Sequence, residues 1–566
     1  MNPRSSRPPG ALRSLWPLLL PLLTAVAVYH AVGTFGFVNF DDDHYVYGNP
    51  RVTDGLSVAG ARWAFTTGHE QVWIPATWLS LQLDATLAGP GPASFHRTNL
   101  ALHLAAVALA WLLARRLGGS TAVATLVALL LSVHPVNVEA VCWVTARKDV
   151  LMTPLLLGAA LAWVTAAGPR GLLLAGALTV WAMLAKPAAV VAPALLLLLT
   201  LLPGWRGEGP ARPRRAKWLV LGVLALAAVV VALVTTRLAQ HGPMGAVEAA
   251  PPAQRVLDAA AGVVRYLARL AWPAGLAVRY PEADLHLALP AAVASALGVV
   301  AVTVLLLWQR RRQPLAAFGW LWFLVCLLPS LGLVQGGQLP LGDRYVYLAA
   351  LGLWLPLAVL TVRLGTSRPR LRVPVACLAV AVVAALGVAA SRQAGSWRDA
   401  TSLWRHALAV TRDNDIAHLN LAVVLDDAGR REEALTHLEA AIRIRPRSET
   451  HFNAGNVCAA LGLDDRAEAH YRTALRLNAS LHEAAQNLGS LLGRAGRLDE
   501  ARAVLMSAAQ AAPGLASLQY NLAVVAVAQG DAAEAAVRCR RALELDPSHA
   551  GAAELLGKIG GAAAAR

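Results

Sequence analysis

Cysteine is scarce in this chain, and the five present, Cys142, Cys326, Cys377, Cys458 and Cys539, are scattered without a CxxC spacing. That pattern supports neither a disulfide framework nor a thiolate zinc site. Carboxylates are scarce too, but unevenly: only 14 of the 34 fall in the first 391 positions. The same stretch is dominated by long apolar runs such as Leu172–Leu184, Ala188–Leu202 and Trp218–Thr235. The 57% hydrophobic fraction and mean hydropathy of +0.50 exceed what an ordinary soluble domain carries and point to a polytopic membrane protein. A net charge of +16 suggests nucleic acid only superficially, because the Arg and Lys residues gather between apolar runs, where membrane orientation places them.

Bilayer-length spans are expected near 12–32, 98–117, 119–137, 149–166, 171–186, 188–203, 217–236, 287–308, 315–334, 345–363 and 373–391, about eleven in all. The first segment, about Leu15–Val32, follows Arg4, Arg7 and Arg13 and lacks a small-residue cleavage site, so a retained helix is expected. Arg115-Arg116, the Arg206–Lys217 stretch, Arg310-Arg311-Arg312 and Arg368–Arg372 would share the cytoplasmic side with the N-terminus. Eleven crossings then put loop 33–97, segment 237–286 and everything after 391 on the opposite face. Arg255–Trp272 reads as an amphipathic helix lying on that membrane surface.

After Arg392 the composition turns soluble and a repeat appears. Asn420, Asn453, Asn487 and Asn521 recur, and Gly429, Gly462, Gly496 and Gly530 keep step with them. Ala434, Ala467, Ala501 and Ala535 each follow a glycine by five residues, and Pro446, Pro513 and Pro547 close three units. A period of about 34 residues with Gly at a helix turn and Ala at a helix crossing is the tetratricopeptide pattern. The expected organisation is a membrane domain over 1–391, a capping half-repeat over 392–415, four repeats over 416–551 and a tail over 552–566. The repeat asparagines are candidates for a concave protein-binding face. The fold class is therefore all-α: a polytopic helical bundle followed by an α-solenoid.

Against so few acids, the run Asp41-Asp42-Asp43 after the first apolar segment stands out. Neighbouring carboxylates near low dielectric raise one another's pKa, which is one way to make a general base. Other polar groups fall at span ends or in loops on the same expected face: Trp73, His134 with Glu139, Arg147-Lys148-Asp149, Lys186-Pro187, Arg279-Tyr280 and Asp343-Arg344-Tyr345. His96, Asn99 and His103 share one helix face, where hydrogen bonding between helices is the expected role.

These stretches, Phe40–Pro50, Trp73–Ser80, His134–Lys148, Lys186-Pro187 and Asp343–Tyr347, together with the repeats, resemble the transmembrane, tetratricopeptide-repeat O-mannosyltransferases and their bacterial relatives. Those proteins belong to the GT-C superfamily of glycosyltransferases. The family pattern of an acidic pair with Asn seven residues beyond its second member registers here as Asp41-Asp42 with Asn49, leaving Asp43 as an extra. The resemblance implies transfer of a sugar, mannose by analogy, from a polyprenyl-phosphate carrier to a hydroxyl on the periplasmic or luminal side, and the Ala-, Arg- and Pro-heavy composition suggests a bacterial inner membrane. Serine and threonine of extracytoplasmic proteins are the implied acceptors, recruited by the repeats.

The chemistry needs a base for the acceptor hydroxyl and cations for the departing phosphate. Asp41 or Asp42 fits the first role, with Asp41 preferred. Arg147, Lys148, Arg279 and Arg344 fit the second, and Asp343, His134, Glu139 and Trp73 complete the expected substrate site. No cofactor is required, although three carboxylates at Asp41–Asp43 could hold magnesium or manganese. Two rival readings remain open: a membrane-anchored scaffold with no enzymatic role, and a transporter of lipid-linked sugars.

Overall fold

A computed structural model describes residues 15–118, 120–201, 214–239, 251–281, 287–333 and 341–564. Among the described residues every regular element is helical. The chain divides into two compact units, Met1–Thr411 and Arg412–Arg566.

Among the described residues of the first unit, seven helices are long and apolar enough to cross a bilayer, and the pair Thr121–Val133 and Pro135–Cys142, bent by 57°, makes an eighth if counted as one span. Three shorter apolar helices, Pro169–Ala185, Pro187–Leu201 and Pro314–Ser330, lie where the remaining spans are expected. Proline decides several of the breaks. It disfavours helical backbone at the preceding residue, so His134 before Pro135 is extended (φ −73°, ψ 127°), as is Lys186 before Pro187 (φ −151°, ψ 125°). Each helix thus stops on a polar residue, and the chain restarts in a new direction.

Val144–Thr165 and Asp343–Ser367 are more than half enclosed by protein, whereas Leu289–Arg311 and Pro369–Gly395 are almost wholly exposed to their surroundings. The two enclosed spans form the centre of the unit, and both begin at candidate site residues. Pro314–Leu327 crosses Val346–Ser367 at Gly319 and Gly352, where a Cβ on either residue would run into the other's backbone. Small residues permit such close helix packing in lipid. Pro252–Ala271 forms the expected amphipathic helix, with Ala259, Val263 and Tyr266 buried. It is not among the helices apolar enough to cross a membrane.

The second unit is the expected solenoid. Its helix pairs are Asp415–Asp427 with Arg431–Ile444, Ser448–Ala460 with Asp464–Leu477, His482–Arg494 with Leu498–Ala511, and Ala516–Ala528 with Ala532–Leu545. Gly429, Gly462, Gly496 and Gly530 take φ values of 73° to 81° at the turns, a left-handed backbone that costs a residue with a side chain about 1–2 kcal/mol. Ala434, Ala467, Ala501 and Ala535 are fully buried at the crossings. Two boundaries differ from expectation. The helix Ala400–Val410, expected to cap the solenoid, falls in the first unit, where the Trp404 indole N–H donates to Asn39 Oδ1 at 2.7 Å. The stretch expected to be a tail forms the helix Ala550–Ala564.

Candidate active site

The acidic run splits into three different environments. Asp41 adopts a left-handed backbone (φ 64°), rare for a residue with a side chain and often found at functional positions. It is partly exposed. Asp42 is fully buried and its carboxylate is already occupied. Oδ2 accepts the Val38 N–H at 3.1 Å, while Oδ1 accepts the Thr145 N–H at 3.0 Å and the Thr145 hydroxyl at 2.7 Å. Burial pushes its pKa up to about 7, against the lowering effect of the Thr145 and Val38 hydrogen bonds. Asp43 opens a turn of π-helix, Asp43–Tyr47, and lies 3.5 Å from the exposed His44. Asn49, matching the family asparagine, caps the next short helix by accepting the Arg51 N–H.

Facing this loop are the starts of the two enclosed spans. The Lys148 ammonium lies 4.6 Å from the Tyr45 ring centroid and 5.6 Å from that of Trp143. Arg344 is ion-paired with Glu139, and its backbone N–H also donates to Glu139 Oε2 at 3.2 Å. Lys186, brought in by the Pro187 break, is ion-paired with Asp149. Burial, followed by the nearby Asp41 and Glu70 carboxylates, raises the Tyr45 phenol well above its usual pKa, and Arg344 opposes them. Lys148 thus sits over the Tyr45 ring, with the charges of Asp41, Glu70 and Arg344 near enough to act on its phenol.

Other expected residues are placed differently. Arg147 is fully buried. Its Nη2 meets Asp84 at 2.6 Å and the Phe95 carbonyl at 2.8 Å, Nη1 meets Ser80 at 2.8 Å, and Nε meets Asn99. A guanidinium so occupied has little left for a phosphate. Asp343 accepts from Arg269 at 3.1 Å and from the Tyr280 hydroxyl at 3.0 Å, so it holds the surface helix against the span start. Arg279, beside Tyr280, is partly buried. His134 faces the Leu270 carbonyl at 3.1 Å through Nε2, and its ring lies 5.5 Å from Trp354. Partly exposed Trp73 donates its indole N–H to the Phe65 carbonyl at 2.9 Å. His103 makes the expected hydrogen bond between helices, to the Tyr347 hydroxyl, whereas His96 and Asn99 reach the loop carbonyls of Gly36 and Trp143.

Sequence reading missed Thr145, Tyr45 and Trp143. A threonine and two aromatics carry no chemical signal alone; their roles appear only when distant segments meet. Among the described residues no group of three or more His, Cys, Asp or Glu side chains is placed to hold a metal ion. Both oxygens of Asp42 are already engaged.

With this geometry in view, comparison with known proteins is informative. A family profile described as tetratricopeptide repeat matches residues 390–449, 425–482 and 486–550. The fruit fly Drosophila melanogaster protein O-mannosyl-transferase Tmtc2 is 30% identical over 206 residues, covering 33% of this chain and 22% of that protein. The mouse protein O-mannosyl-transferase TMTC1 is 32% identical over 136 residues, covering 22% and 14%. The chain is similar to the transmembrane, tetratricopeptide-repeat O-mannosyltransferases. It spans less than a quarter of the length of these curated relatives. Among solved structures, the tetratricopeptide-repeat protein YrrB matches 27% of this chain and 80% of its own (24% identity, TM-score 0.25). MamA matches 28% and 94% (20% identity, TM-score 0.26). The C-terminal unit carries tetratricopeptide repeats.

Proposed function

We propose that this protein transfers a sugar, mannose by analogy with the names of its relatives, from a polyprenyl-phosphate donor to a Ser or Thr hydroxyl of an extracytoplasmic protein. The observation that carries the reading is one partly exposed carboxylate, Asp41, with no ion pair among the described residues, beside the cations Lys148, Arg344 and Lys186, which lie against the rings of Tyr45, Trp143 and Tyr345. Asp41 takes the proton of the acceptor hydroxyl as its oxygen attacks the anomeric carbon. The sugar–phosphate bond breaks and the charge passes to the departing polyprenyl phosphate. Lys148 meets that phosphate, while Arg344 and Lys186, each paired with a carboxylate, flank it. The sugar inverts, and no acid is needed for so good a leaving group. Asp42 serves as the latch that fixes the loop. The donor's lipid tail stays in the bilayer, which fits cations placed at span starts. The repeats bring the protein acceptor, and the site and the repeats occupy the periplasmic face of a bacterial inner membrane.

The test is in vitro transfer from polyprenyl-phosphate mannose to a Ser/Thr peptide library by the purified full chain, read by mass spectrometry. Loss of a general base should cut turnover about 10²–10⁴-fold in Asp41→Asn with the protein still folded. Wild-type turnover in that variant would overturn the assignment of the base.

A further inference from the structure

The three cations of the site are interleaved with three aromatic rings. In order the series runs Tyr45, Lys148, Trp143, Arg344, Tyr345, Lys186. Lys148 lies 4.6 and 5.6 Å from its two ring centroids, Arg344 lies 4.8 Å from Trp143 and 4.7 Å from Tyr345, and Lys186 lies 5.1 Å from Tyr345. Two of the cations also have a carboxylate, Glu139 for Arg344 and Asp149 for Lys186. Lys148 differs: among the described residues no carboxylate oxygen approaches its ammonium within ion-pair distance. Asp41 and Asp149 act on it only from farther away.

A carboxylate partner would neutralise an ammonium and compete with an incoming anion. A ring face holds the same cation by its quadrupole and leaves the charge in place. Both rings that hold Lys148 are themselves fixed from the base loop. The Tyr45 backbone N–H donates to the Asp41 carbonyl at 2.9 Å, and its ring stacks at 5.0 Å on Trp78, which is fully buried and packed against Trp63. The Trp143 indole N–H donates to the Phe40 carbonyl at 2.8 Å, and its ring lies 4.8 Å from Phe40 and 6.2 Å from Trp397. The residues on either side of the Phe40–Asp41 peptide bond thus anchor both walls of the lysine slot.

We propose that Tyr45 and Trp143 are positioning residues that hold the uncompensated Lys148 ammonium where the donor phosphate binds, tying the anion grip to the loop that carries Asp41. This rests on the donor reading given above. It makes two ring faces, rather than a counter-charge, responsible for donor affinity.

The experiment measures binding of citronellyl phosphate, a short prenyl monophosphate, to the purified full chain in detergent, with citronellol as the uncharged control. Wild type, Tyr45→Phe, Tyr45→Leu, Lys148→Gln and the double variant Tyr45→Leu/Lys148→Gln are compared. Tyr45→Phe keeps the ring and should bind within about twofold of wild type, while Tyr45→Leu should weaken phosphate binding about three- to thirtyfold. The double variant should bind no more weakly than Lys148→Gln, because the ring acts through the lysine. Citronellol binding should be the same in all five proteins. If Tyr45→Leu weakens binding equally in the Lys148→Gln background, or changes citronellol binding, the ring is merely structural and the slot is refuted. If Lys148→Gln weakens binding and Tyr45→Leu does not, the slot fails while the donor reading stands. If wild type binds the phosphate no better than citronellol, both fall together.

Discussion

The two units use charge in opposite ways. Four ion pairs of the membrane unit are sequestered: Arg147 with Asp84, Lys186 with Asp149, Arg344 with Glu139 and Arg269 with Asp343 all keep most of their side chains from solvent. In the solenoid, Arg430 with Glu433, Arg466 with Glu439 and Arg472 with Glu500 lie on the surface, each side chain more than a third exposed. The chemistry is the same and the energetics differ. Breaking one partner of a buried pair strands a charge, whereas a surface pair returns both charges to water. The first unit therefore depends on individual partners, and the second depends on its repeated packing of Ala and Gly.

The largest expected effect lies in the Arg147 network. Arg147→Met should destabilise the membrane unit by about 3–5 kcal/mol, because Asp84 is left buried and unpaired. Adding Asp84→Leu should recover part of that loss, and thermal unfolding of the full chain in detergent measures both. Equal loss in the single and double variants would show that the pair is not coupled. Gly319→Leu should follow, since overpacking costs about 1–3 kcal/mol or more where helix backbones touch. A folded protein with unchanged unfolding temperature would mean the Gly319–Gly352 crossing can open freely.

Smaller effects separate the units by the sign of their pH response. Asp42 has a folded pKa of about 7, raised from 3.8 by burial. A raised carboxylate contributes stability that is complete below 3.8 and is lost as pH rises through about 7. The unfolding temperature of the membrane unit should therefore fall over that interval, and Asp42→Asn should flatten the slope while losing the Val38 hydrogen bond. The solenoid should respond oppositely. His418 faces His437, and His451 faces His470, with Nδ1 atoms 2.9 and 3.1 Å apart at matching places in successive repeats.

Burial first, then His437 and Arg443, lowers the pKa of His418; burial and Arg476 lower that of His451. Burial, His451 and Arg466 lower that of His470, against Glu439. A lowered histidine stabilises fully above the ordinary value of 6.5, and that stability fades as pH falls below it. Hydrogen-exchange protection across Asp415–Leu477 in the full chain, corrected for the slower intrinsic exchange at low pH, should fall on acidification, and less so in His418→Gln/His451→Gln. Smallest of all, Arg430→Ala should leave the unfolding temperature unchanged within experimental scatter. A clear loss there would erase the contrast between the units.

The solenoid was legible because each repeat states its turn glycine and crossing alanine again, and because those residues act locally. The membrane spans were legible from apolar length, although proline breaks make some helices shorter than a bilayer. The site was legible only in outline. Arg147 and Lys148 are adjacent and look equivalent on paper, but consecutive helical residues point about 100° apart. One enters the Asp84–Asn99 network and the other meets the Tyr45 ring. Likewise nothing in Asp41-Asp42-Asp43 reveals which carboxylate is engaged, because the deciding donor, Thr145, stands 103 residues away.

That separation also sets a schedule for biogenesis. Two of the three groups that grip Asp42 belong to Thr145, which the ribosome adds on the order of ten seconds later. Until Thr145, at the start of the Val144–Thr165 span, reaches the loop, the Asp42 carboxylate lacks two of its three hydrogen-bond donors. Dehydration of that single side chain therefore waits on the arrival of Thr145, so an ordered Asp41–Asp43 loop cannot precede it.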